Sequence, residues 1–319
     1  RAAEKTVFLV DAGDFVQGTY YFSLLNGVVE MDIIDELAYD VRTLGNHEFD
    51  KKMACLNDML TWSDAPVVAS NYDFTKTSLA TRIEPSMIIE KNGLKVGFIG
   101  LNVKLDNLVA PSSREGVEWQ NAINVADNLA QDLRNRGADM VIALSHLGYE
   151  KNSTEVYYDR GIALNTRHID MIIGGHSHTF LNYADYVKNK DNESVPIVQT
   201  GSKGICLGYA KIKLNAGGQP SFTYRLIPVK NHLDKKLDPQ FSKRIDDYST
   251  SVNGKMKEVI GNCPQAIRKG SPESPLYNLT GDALIWMAKE YMDVDADVSI
   301  YNSGGLRAEI SAGNLTIGD

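Results

Sequence analysis

The sequence predicts an α/β protein, because strand-like apolar segments alternate with helical ones over the first 230 or so of its 319 residues. A hydrophobic content of 43% is that of an ordinary globular protein. The chain also exceeds the length at which single cores usually stop growing, so we expect more than one domain. We place a first domain at residues 1–230, a linker helix at 231–257 and the start of a second domain at 258–319.

The individual elements follow from β-branched apolar runs and from helix start and turn signals. Asp238 followed by Pro239 predicts the start of the linker helix, and the run from Asn215 to Gly218 predicts a hairpin turn. Strands are predicted at Thr6–Asp11, Asp40–Gly45, Pro66–Ser70, Met87–Glu90, Lys95–Leu101, Asp139–Ser145, Asp170–Gly174, Pro196–Gln199, Gly208–Leu214, Ser221–Pro228, Glu258–Ile260 and Val298–Tyr301. Helices are predicted at Glu30–Ala38, Lys51–Trp62, Ala122–Arg136, Thr154–Leu164 and Asn278–Tyr291.

Charge and cysteine content exclude several classes of protein. The net charge is −8 and no basic cluster occurs, which argues against binding to a nucleic-acid polymer. Three widely spaced cysteines with no Cys-x-x-Cys pair support neither a zinc knuckle nor a disulfide framework. No apolar run approaches the roughly 18 residues of a transmembrane segment.

Four strand ends carry side chains that bind divalent metals. Four of the six histidines lie in these segments, whereas His168 and His232 have no such context. In open α/β sheets, ligands bind beyond the carboxyl ends of the strands, so the four segments together predict a metal site. They are Asp11–Asp14, Gly45–Asp50, Ser145–His146 and Gly174–His178.

The first two segments supply oxygen ligands and a candidate acid. Asp14 is suited to bridge two cations, although an Asp in a turn is common without any metal. Asn46 can offer a carbonyl oxygen. His47 precedes Asp50 by three residues, and a carboxylate on one imidazole nitrogen supports a cationic ring suited to general-acid work. Capping of the following helix is an alternative role for Asp50.

The last two segments supply imidazole nitrogens. His146 stands alone at a strand end, where a structural role is the alternative to metal binding. His176 and His178 are two residues apart, and such residues share one side of an extended segment. Two imidazoles on one side form a chelating pair suited to Zn, Mn, Fe or Co.

With these segments in this order, the chain resembles the calcineurin-like metallophosphoesterases. More narrowly, it is similar to the bacterial branch of 5'-nucleotidases and 2',3'-cyclic-nucleotide 2'-phosphodiesterases. The similarity extends over nearly the whole chain. It is carried by Gly13–Thr19, Thr43–Asp50, Ser145–Gly148, Gly174–Thr179, Val198–Gly208, Asn278–Asp282 and Asn302–Arg307.

The resemblance implies a layered β-sandwich flanked by helices, followed by the start of a C-terminal α/β nucleotide-binding domain. It also implies a role for each matching residue. Asp14 would bridge two metals, of which one is completed by Asn46, His146 and His176 and the other is bound by His178. His47 and Asp50 would form the catalytic pair, and Asn302 and Arg307 would bind substrate from the second domain.

Two departures from the family pattern carry a further expectation. The family opens with Asp-x-His, which gives the second metal two ligands, and no such motif occurs in this sequence. The family also uses two aromatic residues to sandwich the nucleobase, in a region that would follow Asp319. We therefore expect an Asp-x-His ahead of Arg1 in a longer protein.

The leading hypothesis is a two-metal phosphohydrolase that releases phosphate from nucleotides, by in-line attack of a metal-bound hydroxide. Zn or Mn are the expected metals, and Fe, Co, Ca or Mg are compatible. A nucleotide or another small phosphoester is the expected partner.

Within the family, a 2',3'-cyclic-nucleotide 2'-phosphodiesterase with 3'-nucleotidase activity or a UDP-sugar hydrolase is the alternative. Outside enzymes, a metal-poor nucleotide-binding protein or a surface adhesion role is possible on the same scaffold, and the resemblance implies a periplasmic, secreted or cell-surface location.

Overall fold

A computed structural model describes residues 6–149, 156–215, 218–302, 305–306 and 308–319. The chain divides into two compact units, residues 1–237 and residues 238–319. Within the described ranges, no helix is both long enough and apolar enough to cross a bilayer.

The α/β fold class is confirmed, with helices and strands alternating through the first unit. The α-helices are α1 Tyr20–Leu25, α2 Val28–Leu37, α3 Lys52–Trp62, α4 Ala122–Asn135, α5 Asp159–Asn165, α6 Pro239–Met256 and α7 Pro275–Met292. The strands are β1 Val10–Asp11, β2 Val41–Arg42, β3 Tyr72–Asp73, β4 Ser86–Lys91, β5 Leu94–Asn102, β6 Glu118–Trp119, β7 Met140–His146, β8 Met171–Gly174, β9 Asp185–Lys188, β10 Ser194–Gln199, β11 Cys206–Asn215, β12 Gly218–Pro228, β13 Val259–Cys263 and β14 Gly313–Thr316. Short 3₁₀ helices occur at His47–Phe49, Pro111–Ser113 and Asn231–Lys236.

The centre of the first unit is a six-stranded sheet in the order β4-β5-β7-β8-β10-β9. The four inner strands run parallel, and β4 and β9 pair antiparallel at the two edges. Because the parallel strands point the same way, their carboxyl ends meet at one edge of the sheet, where the side chains that follow them converge.

Both faces of this sheet are buried, as expected for parallel strands. Val141 and Ala143 of β7 pack in a core with residues of α4 and α5. Ile142 and Leu144, which alternate with them, pack in a second core with Val41 of β2. The two-residue period of the strand thus places successive side chains in different cores, which fixes the register of β7 and the position of its terminal histidine.

A short parallel pair, β1 and β2, lies beside the main sheet, with Asp11 paired to Arg42. It is shorter than the predicted strands Thr6–Asp11 and Asp40–Gly45. Just before β1, the N–H of Leu9 donates to the side chain of Asp40 at 2.7 Å rather than to a backbone carbonyl. The pair nevertheless delivers the two following turns to the same region of the molecule.

The second unit contains α6, α7 and the antiparallel pair β13–β14. The predicted start of α6 is confirmed, since the Asp238 side chain accepts from the N–H groups of Gln240 and Phe241 at 2.9 Å each. Pro239 occupies the first turn of this helix. Val252 and Met256 are its buried residues.

Three further predicted elements differ from the structure. Pro66–Ser70 forms only isolated bridges, from Val67 to Arg42 and from Val68 to Glu84. The helix predicted at Thr154–Leu164 begins at Asp159, and its first two residues lie outside the described ranges. The strand predicted at Val298–Tyr301 is not formed: Ile300 is 94% exposed, and a strand needs a neighbour for its backbone N–H and C=O groups.

Candidate metal centre

The ends of the parallel strands meet in register at one edge of the main sheet. Asn102 at the end of β5 pairs with His146 at the end of β7. Gly174 at the end of β8 pairs with Ser145 of β7 and with Gln199 at the end of β10. The sheet therefore brings His146 next to the turn that carries His176 and His178, as the order of the sequence segments predicted.

Asp14, His146 and His176 form a compact group of potential metal ligands. One ligand atom from each lies within 4.8 Å of the others. His146 Nε2 is 2.8 Å from Asp14 Oδ2, yet it has no aligned hydrogen-bond partner. In octahedral coordination, which suits Mn, two neighbouring donors that are each about 2.1 Å from the ion stand about 3 Å apart. The spacing of these atoms therefore fits shared coordination.

Asn46 adds an amide oxygen that fits the same purpose. The residue is buried, and its Oδ1 has no hydrogen-bond partner. A buried polar atom without a partner is costly, and a metal ion would satisfy it. A carboxylate, an amide oxygen and two imidazoles form a donor set that Zn or Mn accepts. The residues present therefore fit a divalent ion.

Glycine makes this close approach possible. A Cβ on Gly45 would collide with the Asp14 carboxylate and would stand 2.7 Å from His146 Nε2. A Cβ on Gly13 would stand 2.5 Å from the backbone carbonyl carbon of Leu44. The backbones of the two turns that follow β1 and β2 are thus in direct contact at Gly13 and Gly45. A side chain at either position would force the two turns apart.

Three of the candidate ligands have a left-handed backbone. Asp14 has φ 58°, His176 has φ 66° and His178 has φ 54°. Non-glycine residues rarely adopt this region, and each costs of order 1 kcal/mol or more, supplied by surrounding contacts. Such strain clusters at functional sites, so its occurrence at three candidate ligands supports a function for these turns.

His47 and Asp50 are paired as predicted by their spacing. His47 Nδ1 lies 2.7 Å from Asp50 Oδ2, in a 3₁₀ turn that begins directly after Asn46. The hydrogen bond with Asp50 raises the pKa of His47, against the opposing effect of burial. The imidazole is 38% exposed, so a substrate can reach it. The backbone N–H of His47 also donates to Asp14 Oδ1 at 2.9 Å.

Charges differ among the imidazoles. Burial, followed by the neighbouring His146, lowers the pKa of His176 to about 4. The neutral form, which binds metals, is therefore the stable one. Burial also opposes a charge on His146, but the contact with Asp14 outweighs it and raises the pKa of His146. Burial favours the neutral form of Asp14, but the contact with His146, and after it the N–H of His47, outweighs burial and lowers the pKa of Asp14.

The remaining predicted site residues are less closely grouped. Within the part of the chain that the structure describes, His178 does not join Asp14, His146 and His176 in one compact group of donors. Asn302 is exposed and belongs to the second unit. Arg307 lies outside the described residues. The proposed roles of these residues stay predictions.

Three buried side chains that the sequence did not single out organise the site. Glu48 is fully buried and accepts the N–H groups of Gly45, Asp14 and Phe15. Burial, and then repulsion from Asp14, raises the pKa of Glu48 to about 7. Glu48 lies inside the segment Gly45–Asp50, so its position was visible, but only the structure shows that it points inward.

Gln199 is the second of these residues, and it binds the turn that carries His176 and His178. Its Nε2 donates to Gly175 O at 2.9 Å, and its Oε1 accepts from Thr179 N–H and, at 3.2 Å, from Ser177 Oγ. It belongs to the segment Val198–Gly208 that carries the family resemblance, which was the available signal in the sequence.

A third buried group, Asp159, supports the strand end that carries His146. Its Oδ1 accepts from Ser145 Oγ at 2.6 Å, and burial raises the pKa of Asp159 to about 7. No pattern in the sequence marks Asp159, since it lies in the first turn of an ordinary helix.

Comparison with known families resolves the class of this site. Residues 1–180 match the model of the calcineurin-like phosphoesterases. The chain belongs to this family. The predicted family and fold are thereby confirmed, and with them the enzyme class, that of metal-dependent phosphoester hydrolases.

Several relatives of this calcineurin-like phosphoesterase carry names of nucleotide-hydrolysing enzymes. The snake venom 5'-nucleotidase of Gloydius brevicauda is 30% identical over 348 residues, covering 99% of this chain and 57% of the venom protein. The trifunctional nucleotide phosphoesterase protein YfkN of Bacillus subtilis is 26% identical, covering 98% of this chain and 23% of YfkN. The chain thus spans little more than half of the first relative and under a quarter of the second.

A solved structure agrees with the sequence comparison. The crystal structure of a 5'-nucleotidase precursor from Thermus thermophilus superposes with a TM-score of 0.76 at 26% identity. The alignment covers 98% of this chain and 63% of the Thermus protein. The arrangement of strands described above is therefore that of the family.

Proposed function

We propose that the protein is a two-metal phosphohydrolase that releases phosphate from nucleotides. The observation that carries the proposal is the group of Asp14, His146 and His176, with the unpartnered amide oxygen of Asn46 beside it. The names of the relatives, 5'-nucleotidase and nucleotide phosphoesterase, support a nucleotide as the substrate.

In this proposal, Asn46, His146 and His176 would hold one metal together with Asp14, and Asp14 and His178 would contribute ligands to a second. Zn or Mn are the metals that this donor set favours. Bound ions of this kind polarise phosphoryl oxygens and lower the pKa of a water to about 7.

His47 and Asp50 supply the acid in this proposal. Asp50 holds Nδ1 of the ring through the 2.7 Å contact, which leaves Nε2 to face the substrate. The carboxylate stabilises the imidazolium, so His47 can hold a proton at Nε2 and give it to the leaving oxygen as the bond to phosphorus breaks. The partial exposure of the ring allows this contact.

The second unit, residues 238–319, would bind the nucleotide, with Asn302 and Arg307 as the substrate-binding residues. A guanidinium matches the oxygens of a phosphate in a bidentate contact.

We also retain a periplasmic or cell-surface location as part of the proposal. The Bacillus subtilis relative, a trifunctional nucleotide phosphoesterase by name, supports nucleotides as the substrate class, and 2',3'-cyclic nucleotides remain the alternative substrate.

A phosphate-release panel on the full-length protein tests the proposal. The assays contain Mn²⁺ or Zn²⁺ and compare 5'-nucleotides, 3'-nucleotides, 2',3'-cyclic nucleotides, a UDP-sugar and an aryl phosphate. Release from 5'-nucleotides at the highest kcat/KM is the expected result. A preference for 2',3'-cyclic nucleotides or for the UDP-sugar would replace the substrate and keep the class.

Elemental analysis separates an enzyme from a binding protein on the same scaffold. About two divalent ions per chain after metal loading are expected of a two-metal centre. Nucleotide binding without bound metal and without phosphate release would contradict the proposal.

A further inference from the structure

We propose that Glu48 is a positioning residue for the metal centre, because its buried carboxylate holds the turn that carries Asp14 against the turn that carries Asn46. The inference rests on the proposed function, since it concerns how the ligands of that site are held. Glu48 contacts backbone N–H groups of both turns, and its role is to act through Asp14 rather than on the substrate.

The contacts of Glu48 join two segments that are distant in sequence. Oε2 accepts from the N–H of Gly45 and, at 3.1 Å, from the N–H of Asp14. Oε1 accepts from the N–H of Phe15 at 3.0 Å. Glu48 and Asp14 are 34 residues apart, so these bonds fix how the turn after β1 lies on the turn after β2.

Only a carboxylate can accept all three N–H groups. Both of its oxygens are acceptors, whereas a glutamine amide has one oxygen acceptor and one N–H₂ donor. In either orientation of the amide, the N–H₂ group would face at least one backbone N–H. A buried donor would then lose its partner, which is costly, and the two turns would separate locally.

The position of Asp14 depends on these bonds because its backbone is strained. Asp14 has a left-handed φ of 58°, and its own N–H is one of the three donors. Its carboxylate in turn accepts from the N–H of His47 and lies 2.8 Å from His146 Nε2. A shift of this turn would therefore move the bridging carboxylate relative to Asn46, His47 and His146 together.

A buried cation, Arg42, interacts electrostatically with Glu48. Arg42 is fully buried, and its guanidinium lies 4.6 Å from the centre of the Phe15 ring. Burial lowers the pKa of Arg42 to about 10, and the charges of Asp11 and Glu48 oppose this effect by favouring the charged guanidinium. Isolated buried charges are expensive, and opposite charges reduce that cost.

Glu48→Gln tests the proposal through metal affinity, measured by titrating metal-free protein with Mn²⁺ and by thermal melting. Replacing a group that orients a metal ligand typically weakens metal binding by about 10- to 100-fold, and we expect a loss in this range. Asp170→Asn is the matched control, because Asp170 also accepts a backbone N–H, that of Val141, but at the opposite end of the sheet. The control should lower the melting temperature and leave the affinity for Mn²⁺ unchanged.

Glu48→Asp serves as a second variant if Glu48→Gln does not fold. It keeps the charge but is one methylene shorter, so it cannot reach both turns, and we expect weakened Mn²⁺ binding here too. Affinity within twofold of the wild type in a folded Glu48 variant would overturn the proposal. So would failure of both variants to fold where Asp170→Asn folds, since that indicates a general structural role. A wild-type protein that binds no Mn²⁺ would instead contradict the proposed function.

Discussion

The two sides of the candidate metal centre are held by different kinds of buried side chain. On one side, Glu48 accepts three backbone N–H groups around Asp14 and Gly45. On the other side, the neutral amide of Gln199 both donates and accepts around the turn of His176 and His178. Both supports hold candidate ligands whose backbone is left-handed.

The difference follows from which backbone groups each turn leaves unpaired. The turns after β1 and β2 present only N–H groups to Glu48, so an anion with two acceptor oxygens matches them. The histidine turn presents a C=O at Gly175 and an N–H at Thr179 to Gln199, so an amide matches it. Glu48→Gln should therefore place an N–H₂ donor against a backbone N–H, and Gln199→Glu should place a carboxylate oxygen against a backbone C=O. Each substitution should weaken the turn that the side chain holds.

The largest expected effect is on kcat, in a comparison of one histidine from each side of the metal centre. His47→Asn should lower kcat by about 100- to 10,000-fold, because the variant loses the proposed acid while Asp14, Asn46 and His146 remain. Metal content by elemental analysis should stay at the wild-type value. His176→Asn, on the other side, should instead reduce metal content.

His168→Asn provides the control for this pair, because it makes the same chemical change next to the start of β8, at the far end of that strand from the site. Its kcat should match that of the wild type. Equal loss of metal from His47→Asn and His176→Asn would show that His47 is a ligand rather than the acid.

A smaller effect is expected from adding one methyl group on either side. Gly45→Ala would press a Cβ into the Asp14 carboxylate, whereas the Cβ of Gly175→Ala would stand 2.9 Å from Ala12 O and from His146 Nδ1. We expect Gly45→Ala to weaken Mn²⁺ binding by more than about 10-fold and Gly175→Ala by less, because only the first displaces a carboxylate from its ligand position.

Gly254→Ala is the matched control for both glycines. A Cβ at this position in α6 meets no atom within 4 Å, and alanine favours a helix over glycine by about 1 kcal/mol. Its metal binding should equal that of the wild type. A larger loss of Mn²⁺ affinity in Gly175→Ala than in Gly45→Ala would contradict the prediction. It would show that the turn carrying His176 and His178 tolerates an added methyl group less well.

The smallest effect on metal binding is expected from Gln199→Glu. A carboxylate oxygen would replace the donor that faces Gly175 O, so the free energy of unfolding should fall by about 1–3 kcal/mol. The turn that carries His176 and His178 keeps another hydrogen bond, because Ser177 Oγ accepts from the N–H of Tyr149 at 3.0 Å. We therefore expect weaker loss of Mn²⁺ affinity than in Glu48→Gln, as measured by titration and urea unfolding. A greater loss of Mn²⁺ affinity in Gln199→Glu than in Glu48→Gln would contradict this. It would show that the turn of His176 and His178 depends more on Gln199 than the turn of Asp14 depends on Glu48.

The sequence predicted the strands and the ligand segments best where the pattern is local. The apolar run of β7 and its terminal His146 are adjacent in sequence, and His47 and Asp50 are only three residues apart. The helices α2, α3 and α4 begin and end within about two residues of their predicted limits. In each case a periodic pattern or a fixed spacing determines the outcome.

Contacts between distant segments could not be predicted in the same way. Glu48 looks like any charged residue in a turn until the turn after β1 is placed against it. Likewise, Val298–Tyr301 has the composition of a strand, but a strand depends on a partner that composition does not specify. The first strand forms only over Val10–Asp11 of the predicted Thr6–Asp11, and just before it the side chain of Asp40, which is distant in sequence, accepts the N–H of Leu9.

The wide sequence separation of Asp14, Asn46, His146 and His176 links metal binding to folding. An unfolded chain cannot bring these positions together, so an ion that fits the site binds the native state almost alone. By mass action, an ion at 100 times its dissociation constant then adds about 2.7 kcal/mol to the free energy of unfolding. The melting temperature should consequently rise with metal concentration, and the metal that raises it most at equal concentration is the one this site prefers.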